Sequence, residues 1–258
     1  MNSNIPKIIH FCWLSNDAFP KKIKSYIDGW REKLPDYEFI NWNFERFPIE
    51  KSRWVREAFE ERKYAYAADY LRLYALYHHG GIYLDTDVEV VKSFDDLLHL
   101  PYFIGTEGDE YIEAAVIGSQ KSNQWIGEVL AYFENRSFIK SDGSYDMITL
   151  PRVLRMVTAT NYKTRKITLD EDCQKILSED RHLIGLFPKD FFCAKDMGTG
   201  EIQKTKNTYT VHHFAMSWVP KNKKRISDFK RFLMKTFGVR RIETVIDFLK
   251  LKKLKSFS

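Results

Sequence analysis

Residues 80–91 read GGIYLDTDVEVV: a glycine pair, an apolar run rich in β-branched and aromatic side chains, and within it Asp85 and Asp87 with one residue between them. The run has the pattern of a buried strand, and the helical pattern before it points to an α/β unit. Side chains alternate along an extended strand, so Asp85 and Asp87 are expected on one face, with Glu89 joining them if the strand runs straight. Carboxylates this close disfavour each other's charge unless something positive sits between them. A divalent cation resolves the conflict. Mg²⁺ or Mn²⁺ takes oxygen ligands from one or two carboxylates plus substrate phosphates, so the pair points to a nucleoside diphosphate derivative. Its place near the C-terminal end of a strand is where open α/β sheets bind ligands.

The flanking sequence supplies the remaining pieces of such a sheet. IPKIIHFCWL, at residues 5–14, reads as a buried first strand, and KKIKSYIDGWREKLP as a helix with Ile23, Tyr26, Ile27 and Trp30 on one face, stopped by Pro35. YEFINWN then reads as a second strand, reached by a crossover. Residues 52–79 form a long helical region, interrupted or bent, that ends at Gly80–Gly81. Within it Asp69 and Arg72 lie three apart and share a face. The tyrosines Tyr66, Tyr70, Tyr74 and Tyr77 recur at helical spacing and are assigned to the core. His78 and His79 are expected to cap the helix and complement its dipole. Strands follow at YFIGTE and EAAVIGS, helices at QWIGEVLAYFEN and MITLPRVLRMVTATN, and a late strand at TYTVHHFAMSWVP, with a polar connection between.

Of the 258 residues 44% are hydrophobic, enough for one substantial core, and no apolar run is long enough to span a bilayer. Without a secretory pattern at the start, the chain is expected in the cytoplasm. Cys12, Cys173 and Cys193 show no paired spacing and read as reduced, buried thiols. The net charge of +6 is uneven: residues 221–258 hold thirteen Lys or Arg against three acids, which leaves residues 1–220 at −4. That body has neither a basic stripe interleaved with aromatics nor zinc-finger spacing, so nucleic acid is not an expected partner. The expected division is a catalytic domain over residues 1–220 and a basic helical extension over 221–258.

AADYLRLYALYHHGGIYLDTDVEVV resembles the DXD region of glycosyltransferase family 32, whose members include bacterial capsule and cell-surface polysaccharide enzymes and the yeast initiating mannosyltransferase, and more distantly the large clostridial glucosylating toxins. IPKIIHFCWL, PDYEFINWN and VHHFAMSW extend the similarity in matching order over residues 5–218. The resemblance implies a GT-A fold, a Rossmann-like α/β sheet that binds a nucleotide sugar through a divalent metal, and transfer with retention. It implies that Asp87 ligates the metal directly, while Asp85 contacts the ribose and sugar and reaches the metal through water. Asp69 and Arg72 match the residues holding the sugar hydroxyls and the diphosphate, Trp13 the aromatic stacked on the base, and Ser217 and Trp218 the loop over the diphosphate. His212 is the expected third metal ligand; His213 faces the other way in an extended segment. Imidazole favours Mn²⁺ over Mg²⁺.

Plainer readings stand beside these. Trp13 also suits a core position, and Asp69 with Arg72 could be a surface ion pair. Glu107, Asp109, Glu110 and Glu113 could reach sugar or acceptor but read more simply as a solvated acidic loop. Attack from the leaving-group face and double displacement through a carboxylate both give retention, and no residue is assigned as nucleophile. The expected donor is a UDP-sugar, with a GDP-sugar as the other choice, and the acceptor a glycan or lipid-linked glycan. In the extension, Ile226, Phe229 and Leu233 share one helical face, as do Ile242, Val245, Ile246 and Leu249, with Gly238 between the two sets. Such helices suit either an anionic membrane surface or an ordinary packed cap. A nucleotide-sugar hydrolase and a non-catalytic polysaccharide-assembly factor are the competing functions.

Overall fold

The computed structural model describes residues 4–215, except 16, 109–110 and 170–172, together with positions 233, 236, 238, 241 and 244. Ser217, Trp218 and the expected helices of the basic extension therefore lie outside the described residues. In chain order the elements are β1 (Ile8–Cys12), α1 (Lys21–Lys33), β2 (Glu38–Trp42), α2 (Arg53–Glu60), α3 (Tyr64–His79), β3 (Gly81–Leu84), β4 (Val88–Val90), β5 (Tyr102–Glu107) and β6 (Tyr111–Ser119). There follow α4 (Gln124–Ala131), α5 (Leu150–Asn161), β7 (Lys163–Lys166), α6 (Cys173–Glu179), β8 (Leu183–Leu186), α7 (Lys189–Phe192) and β9 (Thr210–His212).

The central sheet has the order β2-β1-β3-β6-β5. β1 runs parallel to both β2 and β3, which confirms the strand–helix–strand unit read from the first 42 residues. The other half is antiparallel, with β6 pairing β3 and β5 in a hairpin, so the sheet is mixed. Every residue of β3 is buried, as its unbroken apolar sequence requires for a strand covered on both faces. α3 follows a break at Arg62, whose φ of 55° ends α2's path and separates the two helices. Gly80 and Gly81, at φ 70° and 110°, let α3 turn straight into β3, and a Cβ at Gly81 would stand 2.7 Å from the Ile8 carbonyl oxygen.

The strand expected through residue 91 does not run straight. β3 ends at Leu84, Asp85 N–H still donates to Ala115 O (2.9 Å), and Val88 N–H donates back to Asp85 O (3.0 Å), closing a turn over the two aspartates. Beyond it β4 leaves the main sheet and pairs antiparallel with β9, with Val88 opposite His212. Trp30 of α1, fully buried, locks this ribbon by donating from Nε1 to Val88 O at 2.7 Å. Ile23 and Ile27 bury with it, whereas Tyr26, expected on the same face, is half-buried and stacks on His213. The polar connection holds a strand: β7 is exposed along its whole length and pairs in parallel with β8. Among the described residues no helix is long and apolar enough to cross a membrane.

Candidate active site

At the C-terminal end of β3 two buried charge groups meet. The first is built by α3, whose i, i+3 spacing sets Asp69 and Arg72 on the face towards β3. Arg72 NH2 lies 2.7 Å from Asp85 Oδ1 and 3.5 Å from Asp69 Oδ1. Its NH1 donates to Ala114 O on β6, and the guanidinium lies 4.4 Å over the Tyr83 ring. With Arg72 5% exposed, this is no surface ion pair; a cation there needs its carboxylates, since an unpaired buried charge is costly. Burial pushes the Asp69 carboxyl up to about 7 against the pull of Arg72, and raises Asp85 by the same balance. Arg72 thus contacts Asp85 more closely than Asp69, as a clamp on the first aspartate of the pair.

The second group is built by the β4–β9 ribbon. His213 N–H donates to Asp87 O (3.1 Å) and Ala215 N–H donates to Asp87 Oδ2 (2.6 Å), so the chain after β9 wraps the second aspartate. His212 Nε2 stands 3.5 Å from Asp87 Oδ1. Burial alone would raise the Asp87 carboxyl; the His212 ring and the Ala215 N–H outweigh it and hold it at about 2. Burial would likewise lower His212, yet the Glu113 charge and Asp87 carry its proton affinity well above the ordinary imidazole range.

Asp85, Asp87 and His212 each offer a ligating atom, and the three atoms lie within 4.8 Å of one another. Two carboxylate oxygens and one imidazole nitrogen form a donor set suited to Mn²⁺, and two of the three satisfy Mg²⁺. The repelling carboxylates are each held by a neighbour, Asp85 by Arg72 and Asp87 by the Ala215 N–H. The residues present therefore fit a divalent cation.

Other expected positions divide. Trp13 follows β1 directly; its half-buried indole packs on Phe19 (ring centroids 5.0 Å apart) and donates from Nε1 to Asp17 O. His213 turns away as expected, to Glu89 Oε2 at 2.8 Å. Glu89 does not join the aspartates, because the turn over residues 85–88 sends it to His213 and to Lys204 (2.8 Å). His78 and His79 stand exposed in the last turn of α3, as expected, with their rings against Tyr74 and Trp42; partial desolvation and neighbouring positive groups lower the proton affinity of both. Tyr66 and Tyr70 are buried, as assigned, and Tyr74 and Tyr77 pack half-buried against the core. All three cysteines are free, Cys173 and Cys193 buried and Cys12 half-buried.

The solvated acidic loop is overturned for two of its four members. Glu113 is 1% exposed and reaches His212 Nδ1 at 3.4 Å, with its Oε1 accepting Ala115 N–H at 2.6 Å. Glu107 is half-buried, and burial together with the Glu113 charge pushes its carboxyl up to about 7. Asp109 and Glu110 lie outside the described residues. One signal could have found Glu113: it is a single acid inside the apolar strand IEAAVIG, where a solvated loop has no such neighbours.

Fold and site together define a GT-A α/β protein with a DXD turn at the mouth of its sheet. Residues 20–104 match the family model described as the glycosyltransferase sugar-binding region containing a DXD motif. The fold has a solved counterpart in the PaToxG glycosyltransferase, with a TM-score of 0.50 and 23% identity over 60% of this chain and 68% of that one. Among curated proteins, the chain is 34% identical over 133 residues to inositol phosphoceramide mannosyltransferase 3 of Schizosaccharomyces pombe, covering 49% of this chain and 36% of that protein. It is 34% identical over 119 residues to the mannosyl phosphorylinositol ceramide synthase SUR1 of Saccharomyces cerevisiae, covering 45% and 31%. The chain thus spans about a third of the length of these curated relatives. Both are fungal, so they lend no support to the bacterial capsule setting that the motifs suggested.

Proposed function

We propose that the protein is a metal-assisted, retaining glycosyltransferase that moves a hexosyl group from a nucleoside diphosphate sugar to a hydroxyl of a glycan or lipid-linked glycan. The observation that carries this reading is the convergence of His212 on Asp85 and Asp87, two aspartates that lie inside the region matching a DXD glycosyltransferase model. The relatives' names add mannose as the sugar to test first and an inositol phosphoceramide as an acceptor class, so GDP-mannose stands beside the UDP-sugars as donor. Lys and Arg in residues 221–258 suit a cytoplasmic enzyme held peripherally on an anionic membrane, near a lipid-borne acceptor.

The chain's own residues divide the work. Asp87 and His212 hold the cation, with Asp85 completing its shell directly or through water. A bound Mn²⁺ or Mg²⁺ supplies charge stabilisation for the departing diphosphate. Asp69, whose proton affinity lies near neutrality, accepts or donates hydrogen bonds to sugar hydroxyls. Arg72 fixes Asp85 at one geometry and adds positive potential on the leaving-group side, where negative charge develops. Trp13 offers an aromatic face to the base.

The test is a transfer assay on the purified chain with UDP- and GDP-sugars, Mn²⁺ and an inositol phosphoceramide or glycan acceptor. Asp87→Asn is expected to lower transfer on the order of 10²–10³-fold, the scale of removing one group that stabilises developing charge. Release of free sugar that no acceptor diverts would replace this reading with a nucleotide-sugar hydrolase. No turnover of any donor by a folded chain would leave the non-catalytic assembly factor.

A further inference from the structure

An imidazole offers a cation one nitrogen, and the partner of the other nitrogen decides which. His212 presents Nε2 towards Asp87 and the convergence point of the aspartates, and Nδ1 to the opposite side. On that side stand Glu113, with both carboxylate oxygens 3.4 Å from Nδ1, and the buried thiol of Cys193. Glu113 is almost fully buried on β6, and among the described residues no lysine or arginine pairs with it. Its Oε1 is occupied by the Ala115 N–H at 2.6 Å, which leaves Oε2 to accept from His212. A carboxylate is costly to bury unless hydrogen-bonded and paired, and the one ionisable ring it meets belongs to the site.

We infer that Glu113 is a positioning residue: it accepts Nδ1–H of His212, fixes that tautomer, and aims the Nε2 lone pair at the cation position between Asp85 and Asp87. This rests on the metal reading of the site given above. Sequence alone separates the two residues by 99 positions, and the β3–β6 and β4–β9 pairings bring them together. The thiol of Cys193 is a poor substitute, since sulfur accepts weakly. An amide at position 113 inverts the arrangement. With the Ala115 N–H holding the amide oxygen, the NH₂ group faces Nδ1, which must then accept, and the ring proton moves to Nε2 and blocks it.

The experiment is a Mn²⁺ titration of the full chain followed by electron paramagnetic resonance, on the wild type, Asp87→Asn, Glu113→Gln, His212→Ala and the Glu113→Gln/His212→Ala pair. Glu113→Gln is expected to weaken Mn²⁺ binding about 10–100-fold, the usual cost of losing the partner behind a ligating histidine. In the His212→Ala background the same change should add less than about twofold, because the residue acts through the ring. D87N-sensitive binding that Glu113→Gln leaves within about twofold of wild type overturns the positioning role and spares the metal reading. Absence of any D87N-sensitive binding in the wild type removes the metal reading and this inference with it. Should Glu113→Gln not fold, ¹⁵N spectra of His212 in the wild type with Mg²⁺ and a nucleoside diphosphate decide: the proton on Nδ1 supports the role, and the proton on Nε2 overturns it.

Discussion

His10 and His212 are both removed from bulk water, and the protein treats them in opposite ways. His10 lies on β1 beside the turn from α3 into β3, fully buried, where its Nε2 meets Gly80 O at 2.7 Å and Trp42 Nε1–H donates to its Nδ1 at 3.1 Å. One nitrogen accepts and the other donates, so the ring is the neutral Nε2–H form. Burial, with His79 nearby, lowers its pKa to about 4. At the other end of β3, His212 stands between Asp87 and Glu113, which favour the charged ring. The difference teaches where charge is tolerated. One end of the sheet is closed with neutral hydrogen bonds and aromatic packing; the other holds opposite charges against one another.

The largest effect should come from breaking the charged end. Arg72→Ala leaves the half-buried Asp85 and Asp69 without their buried cation and is expected to cost about 3–5 kcal/mol of stability, measured by denaturant unfolding. A loss under about 1 kcal/mol would mean that the pair is solvated and that the two ends differ less than described.

The neutral end is sharpened by pH. Below about 6.5 the unfolded chain protonates residue 10, while the folded protein resists until about 4. The unfolded state therefore binds more protons in that window, and this contribution to stability is whole above pH 6.5 and is lost as pH falls to about 4. The loss amounts to about 3 kcal/mol by linkage. His10→Gln should flatten the pH dependence of unfolding free energy by that amount between pH 6.5 and 4; an unchanged slope would show that the ring already carries charge in the fold.

The two ends also differ in how far the sequence reveals them. β1, α1 and β2 follow from apolar periodicity and the aspartate pair from its place at a strand end, because each of those signals is local; His212 is reached only through the family resemblance. The turn itself is hidden: D-T-D-V is compatible with a straight strand, and only the departure of β4 to pair with β9 bends it. Glu89, expected beside the aspartates only on a straight strand, leaves their face for that reason. Glu113 was hidden by distance along the chain, since an acid in a strand is explained only when His212 is set against it. β7, as KTRK, carries no apolar signal, since it is an exposed strand that pairs with β8. His78 and His79 are legible for the same reason as the strands, since the last turn of a helix before Gly80–Gly81 is a local signal.

The central claim is that Asp85, Asp87 and His212 gather around a divalent cation that ties the protein to a diphosphate. Calorimetric titration of GDP and UDP into the chain, with and without Mn²⁺, tests it most directly. We predict that Mn²⁺ tightens binding of the preferred nucleotide about tenfold or more, and that Asp87→Asn abolishes the gain while leaving metal-free affinity near its original value. Equal affinity with and without the metal in the wild type, for both nucleotides, would contradict the account.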